Sequence, residues 1–328
     1  MPPAYALFNG RIVGYKDARL SVLTHGFNYG TTMVTGARGY WNNEEGQLFL
    51  FRPFDYFRRL RASAKLLGME ITLSDEELIN HAVALLRAEK LFEDCYVRAV
   101  AYYSDESLGV RIHDLTTDIT MIAVPFGHYA KGDMGVHVTI SSWRSLDGTM
   151  FPSPGEIGAA FVNIAVARTQ AQRAGFDEPI LLDHAGQISE SPLGSLFILR
   201  GDTFVTSPGD RLMESITRRT VAELITNEMG MKVVERPIER NEIHLADEAL
   251  LCGTGIQVTP VTWVDHVPLG SGTPGRVTSR LRELYFAAAR GTLPKYAEWC
   301  VPVHETRKYK DRSEVDLRRG SRAGNSDF

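Results

Sequence analysis

The sequence has few cysteines, little net charge and no long apolar run, and each absence excludes a class of protein. Its three cysteines, Cys95, Cys252 and Cys300, stand far apart among 328 residues and form no CxxC pair. This excludes a disulfide scaffold and offers no zinc-ribbon site, so we expect a reduced cytoplasmic protein without a bound metal. With 36 basic and 40 acidic residues, a net charge of −4 gives no electrostatic case for nucleic acid or an anionic membrane as partner.

Membrane and export signals are also missing. No apolar stretch reaches the length of a transmembrane helix, and the first ten residues lack a basic segment followed by an apolar run. We therefore expect neither a membrane span nor a signal peptide. No internal repeat or low-complexity segment is present.

What remains is the composition of an ordinary globular protein, 44% hydrophobic and 23% charged, at a length that suits two domains. Asn9-Gly10 predicts a hairpin over 5–15. Pro53 opens a helix that Gly68 ends, and Ser74 to Glu77 reads as a capping box for the next helix. With strands at 34–40, 47–51, 95–103 and 117–126, residues 1–126 are predicted to form a small N-terminal α/β domain.

A polar segment with two glycines follows, and we interpret residues 127–135 as the interdomain linker. The second, larger domain is predicted over 136–303, with a strand from Val136 and helices at 216–229 and near 275–290. Residues 304–328 alternate in charge without apolar periodicity, which is typical of a flexible tail. The fold class is therefore α/β (α+β), in two domains with the active site expected between them.

The segment on which this second domain centres contains two carboxylates. Residues 160–175 predict an amphipathic helix, on which Phe161, Ile164, Ala165 and Thr169 recur at helical spacing. A strand at 178–183, a turn at 184–187 and a strand at 195–200 predict a hairpin. Glu156 precedes the helix and Glu190 lies just before the second strand.

This segment, and the chain from about 5 to 303, resembles the class IV pyridoxal-phosphate enzymes, most closely the branched-chain amino acid aminotransferases. The family's Lys-x-Gly-x-x-Tyr, whose lysine carries the cofactor as a Schiff base, is matched by Glu156, Gly158 and Phe161. Its Ile-Ser-Glu is matched by 188–190. The two glutamates are 190 − 156 = 34 positions apart and the match runs without a gap. The lysine is therefore replaced, not displaced by misalignment.

Three further segments could hold a phosphate. Ser215 begins a helix, Gly253-Thr254-Gly255 is a tight loop after a strand, and Arg59 lies on the first long helix. Alone, each has an ordinary structural interpretation, as a helix cap, a turn and a solvated arginine. The resemblance implies that they bind the cofactor's phosphate while Glu190 pairs with its ring nitrogen; the implied cofactor-binding residues are Arg59, Glu190, Ser215, Ile216, Thr217, Thr254 and Gly255.

A second set would bind a substrate carboxylate. The resemblance implies Tyr29, Arg38, Tyr96, Arg98 and Tyr129, although Tyr96 and Arg98 could simply share one face of a strand as any i, i+2 pair does. The family's Phe-Glu-Gly reads Val34-Thr35-Gly36 here. We therefore expect a substrate outside the standard branched-chain set.

The reaction centre departs from the family. A Schiff-base lysine holds the cofactor's aldehyde and moves the proton at the substrate Cα; Glu156 cannot do the first, but in a dry site a carboxylate can act as acid or base. Phe161 lacks the family's phenol, and no other lysine falls in the matched motifs. An aminated cofactor could pair its ammonium with Glu156.

Three functions stay open at this point. The preferred hypothesis is an atypical enzyme that acts on an amino or keto acid with Glu156 as acid or base. Its cofactor would be pyridoxal phosphate or pyridoxamine phosphate, bound non-covalently, or there would be none. The alternatives are a non-catalytic ligand-binding relative, and a conventional pyridoxal-phosphate aminotransferase or aminodeoxychorismate-lyase-like enzyme, against which the missing lysine argues. The resemblance also implies a homodimer.

Overall fold

The chain forms two compact units, which the computed structural model describes over residues 2–127, 133–152, 155–209 and 214–305. The first unit contains the described residues up to Gly127 and those from Ala287 onward. The second contains the described residues between them, up to Phe286. Each unit combines a β-sheet with helices, so the fold is mixed α/β as predicted.

The first unit is built on a seven-stranded antiparallel sheet in the order β16-β4-β3-β5-β6-β1-β2, with strands and helices numbered along the chain. Its strands are β1 (Tyr5–Phe8), β2 (Arg11–Gly14), β3 (Thr32–Asn42), β4 (Gln47–Phe51), β5 (Cys95–Tyr103), β6 (Thr117–Pro125) and β16 (Cys300–Pro302). Its helices are α1 (His25–Tyr29), α2 (Pro53–Ala64) and α3 (Asp75–Ala88).

Two local sequence signals in this unit are confirmed. Asn9 and Gly10 have φ angles of 48° and 70° and join Phe8 to Arg11 across the hairpin, which is the type I′ geometry. At the start of α3 the Glu77 amide donates to Ser74 Oγ (3.2 Å), and the Ser74 amide donates to the Glu77 carboxylate (2.8 Å). This is the predicted capping box.

The second unit is built on a mixed nine-stranded sheet, ordered β12-β11-β10-β13-β14-β7-β8, with β9 beside β10 and β15 beside β14. Its strands are β7 (Val136–Arg144), β8 (Glu178–Leu182), β9 (Glu190–Ser191), β10 (Gly194–Arg200), β11 (Thr203–Thr206), β12 (Lys232–Glu235), β13 (Glu248–Gly253), β14 (Gln257–Val264) and β15 (Val267–Pro268). The helices are α4 (Phe161–Arg173), α5 (Ile216–Met229) and α6 (Arg276–Ala289), the unit boundary falling within α6.

The predicted hairpin of 178–183 with 195–200 is wrong. Strand β8 runs parallel to β7 at one end of the sheet, whereas β10 lies inside it, between β11 and β13. The turn after β8 closes only a single bridge, from Leu182 to Ile188. The hairpin forms one step later, where Gly201 and Asp202 connect Arg200 to Thr203.

The C-terminal boundaries also differ from the prediction, which placed 136–303 in one domain and began a flexible tail at 304. Residues Cys300–Pro302 pair with β4, so that this segment belongs to the first unit. His304 is packed there too, stacked on Phe92 at 4.8 Å between ring centroids. Residues 306–328, and 128–132 of the predicted linker, lie outside the described residues.

Within the described residues, no helix has both the length and the apolar character needed to cross a lipid bilayer.

Candidate active site

Glu156 lies at the entrance to α4. The chain passes from buried Gly155 through partly buried Glu156 to Ile157, which is 3% exposed, and a 3₁₀ turn at Gly158–Ala160 then runs directly into the helix. Two short backbone turns form the segment before the helix. The amide of Ile157 donates to Gly155 O (2.9 Å) and that of Ala160 to Ile157 O (3.0 Å). The position that the sequence singled out is therefore part of a defined structure.

The helix itself is attached from its first turn, where Asn163 Nδ2 donates to Arg144 O at 2.9 Å. The pattern suggested Phe161, Ile164, Ala165 and Thr169 as its inner face, but the buried residues are Ala167 and Ala171, while Ala165 and Thr169 are exposed. Small alanines allow the helix to lie close to the sheet.

A buried ion pair fastens the same face of α4. The Glu178 carboxylate on β8 is fully buried and accepts from Arg168 at 2.8 Å (Nη2) and 2.9 Å (Nε). A buried carboxylate is costly unless it is paired and hydrogen-bonded, so this contact fixes the helix on the sheet.

Glu190 lies on a strand that is held on both sides. The amides of Ile188 and Ser189 donate to Ile238 O (2.8 Å) and Leu181 O (2.9 Å), and Glu190 itself pairs with Ser195 across β9 and β10. Among the described residues no hydrogen bond or ion pair reaches the Glu190 carboxylate. Burial raises the pKa of this carboxyl to about 7. It is therefore suited to accept a hydrogen bond from a cationic or N–H donor, which the described part of the chain does not supply.

The start of α5 is formed as predicted. Ser215 caps the helix, accepting from the Arg218 amide at 3.2 Å, and Ile216 and Thr217 are each 2% exposed. The amides at the start of a 14-residue helix favour an anion. The Arg218 guanidinium turns back to the sheet, where it donates to Ser207 O (2.8 Å) and contacts Glu235 (3.0 Å).

The loop Gly253-Thr254-Gly255 turns β13 into β14 and touches the segment after Glu190. A Cβ on Gly194 would lie 2.1 Å from Cys252 O, and one on Gly253 would lie 1.9 Å from Leu193 O. Such distances leave room only for glycine at both positions. The structure thus brings three of the predicted cofactor segments together in the second unit, those at 188–190, 215–217 and 253–255.

In the first unit, Tyr96 and Arg98 are confirmed to share one face of β5. They are partly exposed, whereas the alternating Cys95, Val97 and Ala99 are buried on the other face. A Cβ on Gly36 of β3, which pairs with Arg98, would lie only 1.8 Å from Tyr96 Oη. The phenol therefore lies over Gly36.

Arg38, on β3 opposite Tyr96, is 2% exposed. Its Nη1 donates to the carbonyls of Phe126 and Gly127, both at 3.0 Å, and its guanidinium lies 4.5 Å from the centre of the Phe126 ring. The Phe126 ring in turn packs on Tyr96 at 5.5 Å. Arg38 thus supports the end of β6, and its predicted contact with substrate stays a prediction.

Tyr29 ends α1 and is anchored by a loop. Its Oη accepts from the Gly109 amide at 2.9 Å, and its ring packs on buried His25 at 4.7 Å. His25 also reaches Gly109 O through Nε2 (2.9 Å) and Thr31 Oγ1 through Nδ1 (2.8 Å). Tyr129 lies outside the described residues.

Arg59 is 8% exposed on α2 and donates to Thr35 Oγ1 at 3.2 Å. Thr35 pairs with Ala99, whereas Arg98 pairs with Gly36, and side chains alternate along a strand. The Arg59 to Thr35 contact is therefore on the face of the first sheet opposite to Tyr96 and Arg98.

Each lysine that the structure describes is on the surface. Of the eight in the sequence, Lys16, Lys65, Lys90, Lys232 and Lys295 are described and all are exposed.

The cysteines offer no nucleophile. Burial raises the pKa of each of the three thiols to about 12. Over the described part of the chain, no cluster of three or more His, Cys, Asp or Glu side chains could hold a metal ion.

Sequence reasoning missed two residues that assemble this region, Ser207 and Gly194. Ser207 precedes Pro208 and Gly209, a context typical of an ordinary turn, and Gly194 stands in an apolar strand. Neither position gives a local signal, because the partners of Ser207 (Ile188) and Gly194 (Cys252) are distant in sequence.

Comparison with known proteins supports the fold. Residues 39–264 match the family described as amino-transferase class IV. The chain is 38% identical over 302 residues to a "Probable branched-chain-amino-acid aminotransferase" of Aquifex aeolicus, covering 92% of this chain and 97% of that protein.

Solved structures are similar over the same share of the chain, at somewhat lower sequence identity. A branched-chain aminotransferase from Thermoproteus uzoniensis with norvaline is 33% identical, with a TM-score of 0.87 over 92% of this chain and 100% of that one. A branched-chain amino acid aminotransferase from Thermobaculum terrenum in its PLP-form is 30% identical, with a TM-score of 0.88 over 93% of this chain and 99% of that one.

Proposed function

The chain belongs to the class IV amino-transferase family, and we propose that it is a branched-chain-aminotransferase-like enzyme that acts on an amino or keto acid without a covalent lysine anchor. The observation that carries this proposal is Glu156 at the position where the resemblance places the Schiff-base lysine. The exposure of all five described lysines supports it, since none of them is buried beside Glu190 or the start of α5.

The residues of the second unit suit a pyridine cofactor with a phosphate. The Glu190 carboxylate, with its raised pKa and without a partner in the described chain, would accept the ring N–H. The amides at the start of α5, with Thr217, Thr254 and Gly255, would hold the phosphate, and the resemblance adds Arg59 of the first unit to the set of phosphate-binding residues. When bound, such a cofactor would supply an electron sink for the chemistry at the substrate's Cα. We propose that this binding is non-covalent.

Glu156 would then hold or move the proton at the substrate Cα. A carboxylate within reach of the substrate Cα can act as a general acid or base. Two carboxylates, Glu156 and Glu190, disfavour the dianionic aldehyde form of the cofactor. The ammonium of pyridoxamine phosphate could instead pair with Glu156. We therefore propose a preference for pyridoxamine phosphate over pyridoxal phosphate.

Arg98 and Tyr96 are proposed to bind the substrate carboxylate, with Tyr29 and Tyr129 in the same set. Arg98 is partly exposed on the strand face where Gly36, which lacks a side chain, makes room for the Tyr96 phenol, and a guanidinium is suited to recognise an anion. Because Val34 and Thr35 stand where the family has Phe and Glu, the proposed substrate lies outside the standard branched-chain set.

We also propose a homodimer. Around α1 the first unit exposes several large apolar side chains, including Val22 (78%), Phe27 (69%), Leu108 (73%) and Val110 (82%). Backbone contacts such as the His25 amide on Asp105 O (2.9 Å) join the two segments that carry them. An exposed apolar group of this kind is typical of a subunit interface. Sedimentation velocity of the wild-type chain tests the proposal. A monomer would contradict it.

A calorimetric titration of the purified chain tests the cofactor proposal. We expect pyridoxamine phosphate to bind more tightly than pyridoxal phosphate, and both to leave on dialysis. Arg59→Ala removes a buried cation that we assign to the phosphate, and this change is expected to cost about 2 kcal/mol or more, roughly a 30-fold loss of affinity.

The matched control is Arg58→Ala, which removes a neighbouring arginine whose side chain is 54% exposed, and it is expected to change little. Absence of binding by either cofactor would contradict the proposal. Tight binding without turnover of any amino or keto acid would favour the non-catalytic alternative.

A further inference from the structure

A continuous set of hydrogen bonds joins the start of α5 to the strand of Glu190. The Arg218 amide donates to Ser215 Oγ at 3.2 Å, and the Arg218 guanidinium donates through Nη2 to Ser207 O at 2.8 Å. Ser207 Oγ then donates to Ile188 O at 2.6 Å, two residues before Glu190. One arginine and one serine therefore connect the proposed phosphate end of the site to its proposed ring-nitrogen end.

The Arg218 side chain is fixed in this position. It is 14% exposed, and its Nε lies 3.4 Å from Thr206 Oγ1. The Thr206 hydroxyl in turn donates to Leu196 O at 2.8 Å. It also contacts Glu235 at 3.0 Å, but that carboxylate is 54% exposed, so the ion pair contributes little. A planar guanidinium with several donors at fixed angles can make these contacts together, which an ammonium cannot.

The Arg218 guanidinium faces the sheet and not the start of α5. This group is bound to the Thr206 hydroxyl on β11 and to the carbonyl of the adjoining Ser207, while only the Arg218 amide contributes to the cap at Ser215. A residue that bound the phosphate through its charge would instead point its guanidinium beyond the helix start.

We propose that Arg218 is a positioning residue that, through Ser207, sets the distance between the start of α5 and Glu190. The site would thereby be matched to a ligand that carries a phosphate and a ring nitrogen at a fixed separation. This inference rests on the proposed function. A rigid ligand gains from binding at both ends only when their spacing is correct, because the second contact then forms without further cost in translational freedom.

The test compares three probes on the full chain: pyridoxamine phosphate, inorganic phosphate and pyridoxamine. Arg218→Lys keeps the charge but not the fork, and Ser207→Ala breaks the contact with Ile188 O without changing any charge. For both variants we expect about a tenfold loss of affinity for pyridoxamine phosphate, with phosphate and pyridoxamine each within about twofold of wild type.

Arg219→Ala is the matched control, since it removes the next arginine, whose side chain is 39% exposed. It is expected to leave all three affinities unchanged. Retention of full affinity by Arg218→Lys would overturn the proposal in favour of a role for the charge alone. An equal loss for inorganic phosphate and pyridoxamine phosphate would also overturn it, because the effect would then belong to the phosphate end only.

Hydrogen exchange supplies a second readout that needs no ligand. The amides of Ile188 and Ser189 are bonded to Ile238 O and Leu181 O, and in both variants we expect them to exchange about tenfold faster. Amides of β13, such as that of Leu250, are expected to stay unchanged. Unchanged exchange at 188–189 would overturn the inference. Failure of the wild-type chain to bind pyridoxamine phosphate would instead contradict the proposed function, and the exchange rates would still decide whether Arg218 couples the two segments.

Discussion

Glu156 and Glu190 are the same residue type in two different settings of the second unit. The strand of Glu190 is bonded on both sides, at the Ile188 and Ser189 amides and across β9 to β10. Glu156 lies before a helix that is attached by its own residues, at Asn163, Ala167, Ala171 and the Arg168 to Glu178 pair. The difference teaches that the strand of Glu190 is fixed by backbone pairing at and next to this residue, whereas the helix after Glu156 is also fixed by side chains within it.

The largest expected effect is on the retention of pyridoxal phosphate, and it comes from placing a lysine at position 156. Glu156→Lys with Phe161→Tyr supplies an amine and a phenol where the resemblance places them, while the segments at 188–190, 215–217 and 253–255 stay as they are. We expect this chain to retain pyridoxal phosphate through desalting, with a visible absorption band that shifts when an amino acid is added. The measurement is an absorbance spectrum.

Glu156→Gln with Phe161→Tyr is its control, because it removes the negative charge without adding an amine. It is expected to stay colourless. If the folded lysine variant also stays colourless with excess pyridoxal phosphate, the three segments do not form a cofactor site and the comparison between the two glutamates has no functional meaning.

Arg98→Ala extends the comparison to the first unit and has the next largest expected effect. Removal of a cation that binds a carboxylate leaves the anion unpaired, at about 2–5 kcal/mol, so affinity for an amino or keto acid is expected to fall roughly 30-fold or more. Titration calorimetry measures it. Arg11→Ala on exposed β2 is the control. Unchanged affinity would show that another residue binds the acid.

The smallest expected effect is on stability and concerns Glu190 alone. Burial raises the pKa of Glu190 from an ordinary 4.5 to about 7, so between these values the unfolded chain has lost a proton that the folded chain keeps. Its contribution to the unfolding free energy is therefore fully present below pH 4.5 and is lost as pH rises through 7.

Glu190→Gln abolishes this titration. Without cofactor, we expect the unfolding free energy of this variant to rise relative to that of the wild type by about 1–2 kcal/mol between about pH 4.5 and pH 8. Urea unfolding measures this difference. Glu283→Gln, at a side chain that is 69% exposed, is the control. A pH-independent difference between Glu190→Gln and wild type would mean that Glu190 ionises normally.

The sequence predicted well what depends on neighbouring residues. The Asn9-Gly10 turn, the Ser74 to Glu77 capping box and the helix after Ser215 are all present, because positive φ angles and helix caps are set within a few positions. The family resemblance supplied the fold class, while the role that it assigns to Glu190 stays a prediction.

What the sequence could not predict depends on partners that are distant along the chain. Strand β10 pairs with β11 and β13 rather than with β8, and Cys300–Pro302 returns to β4, since the choice of a strand partner is made by packing over the whole unit. The contact of Ser207 with Ile188 and the close approach of Gly194 to Cys252 are of the same kind. The raised pKa of Glu190 depends on burial, which a spacing pattern does not reveal.

The central claim is that the cofactor is bound without a lysine anchor, and chemical trapping tests it most directly. The wild-type chain is incubated with pyridoxal phosphate, reduced with borohydride and mapped by peptide mass spectrometry, with the Glu156→Lys, Phe161→Tyr chain as positive control. We expect no stoichiometric label on any of the eight lysines of the wild type and a label at position 156 of the variant. A stoichiometric adduct on one wild-type lysine would contradict the claim.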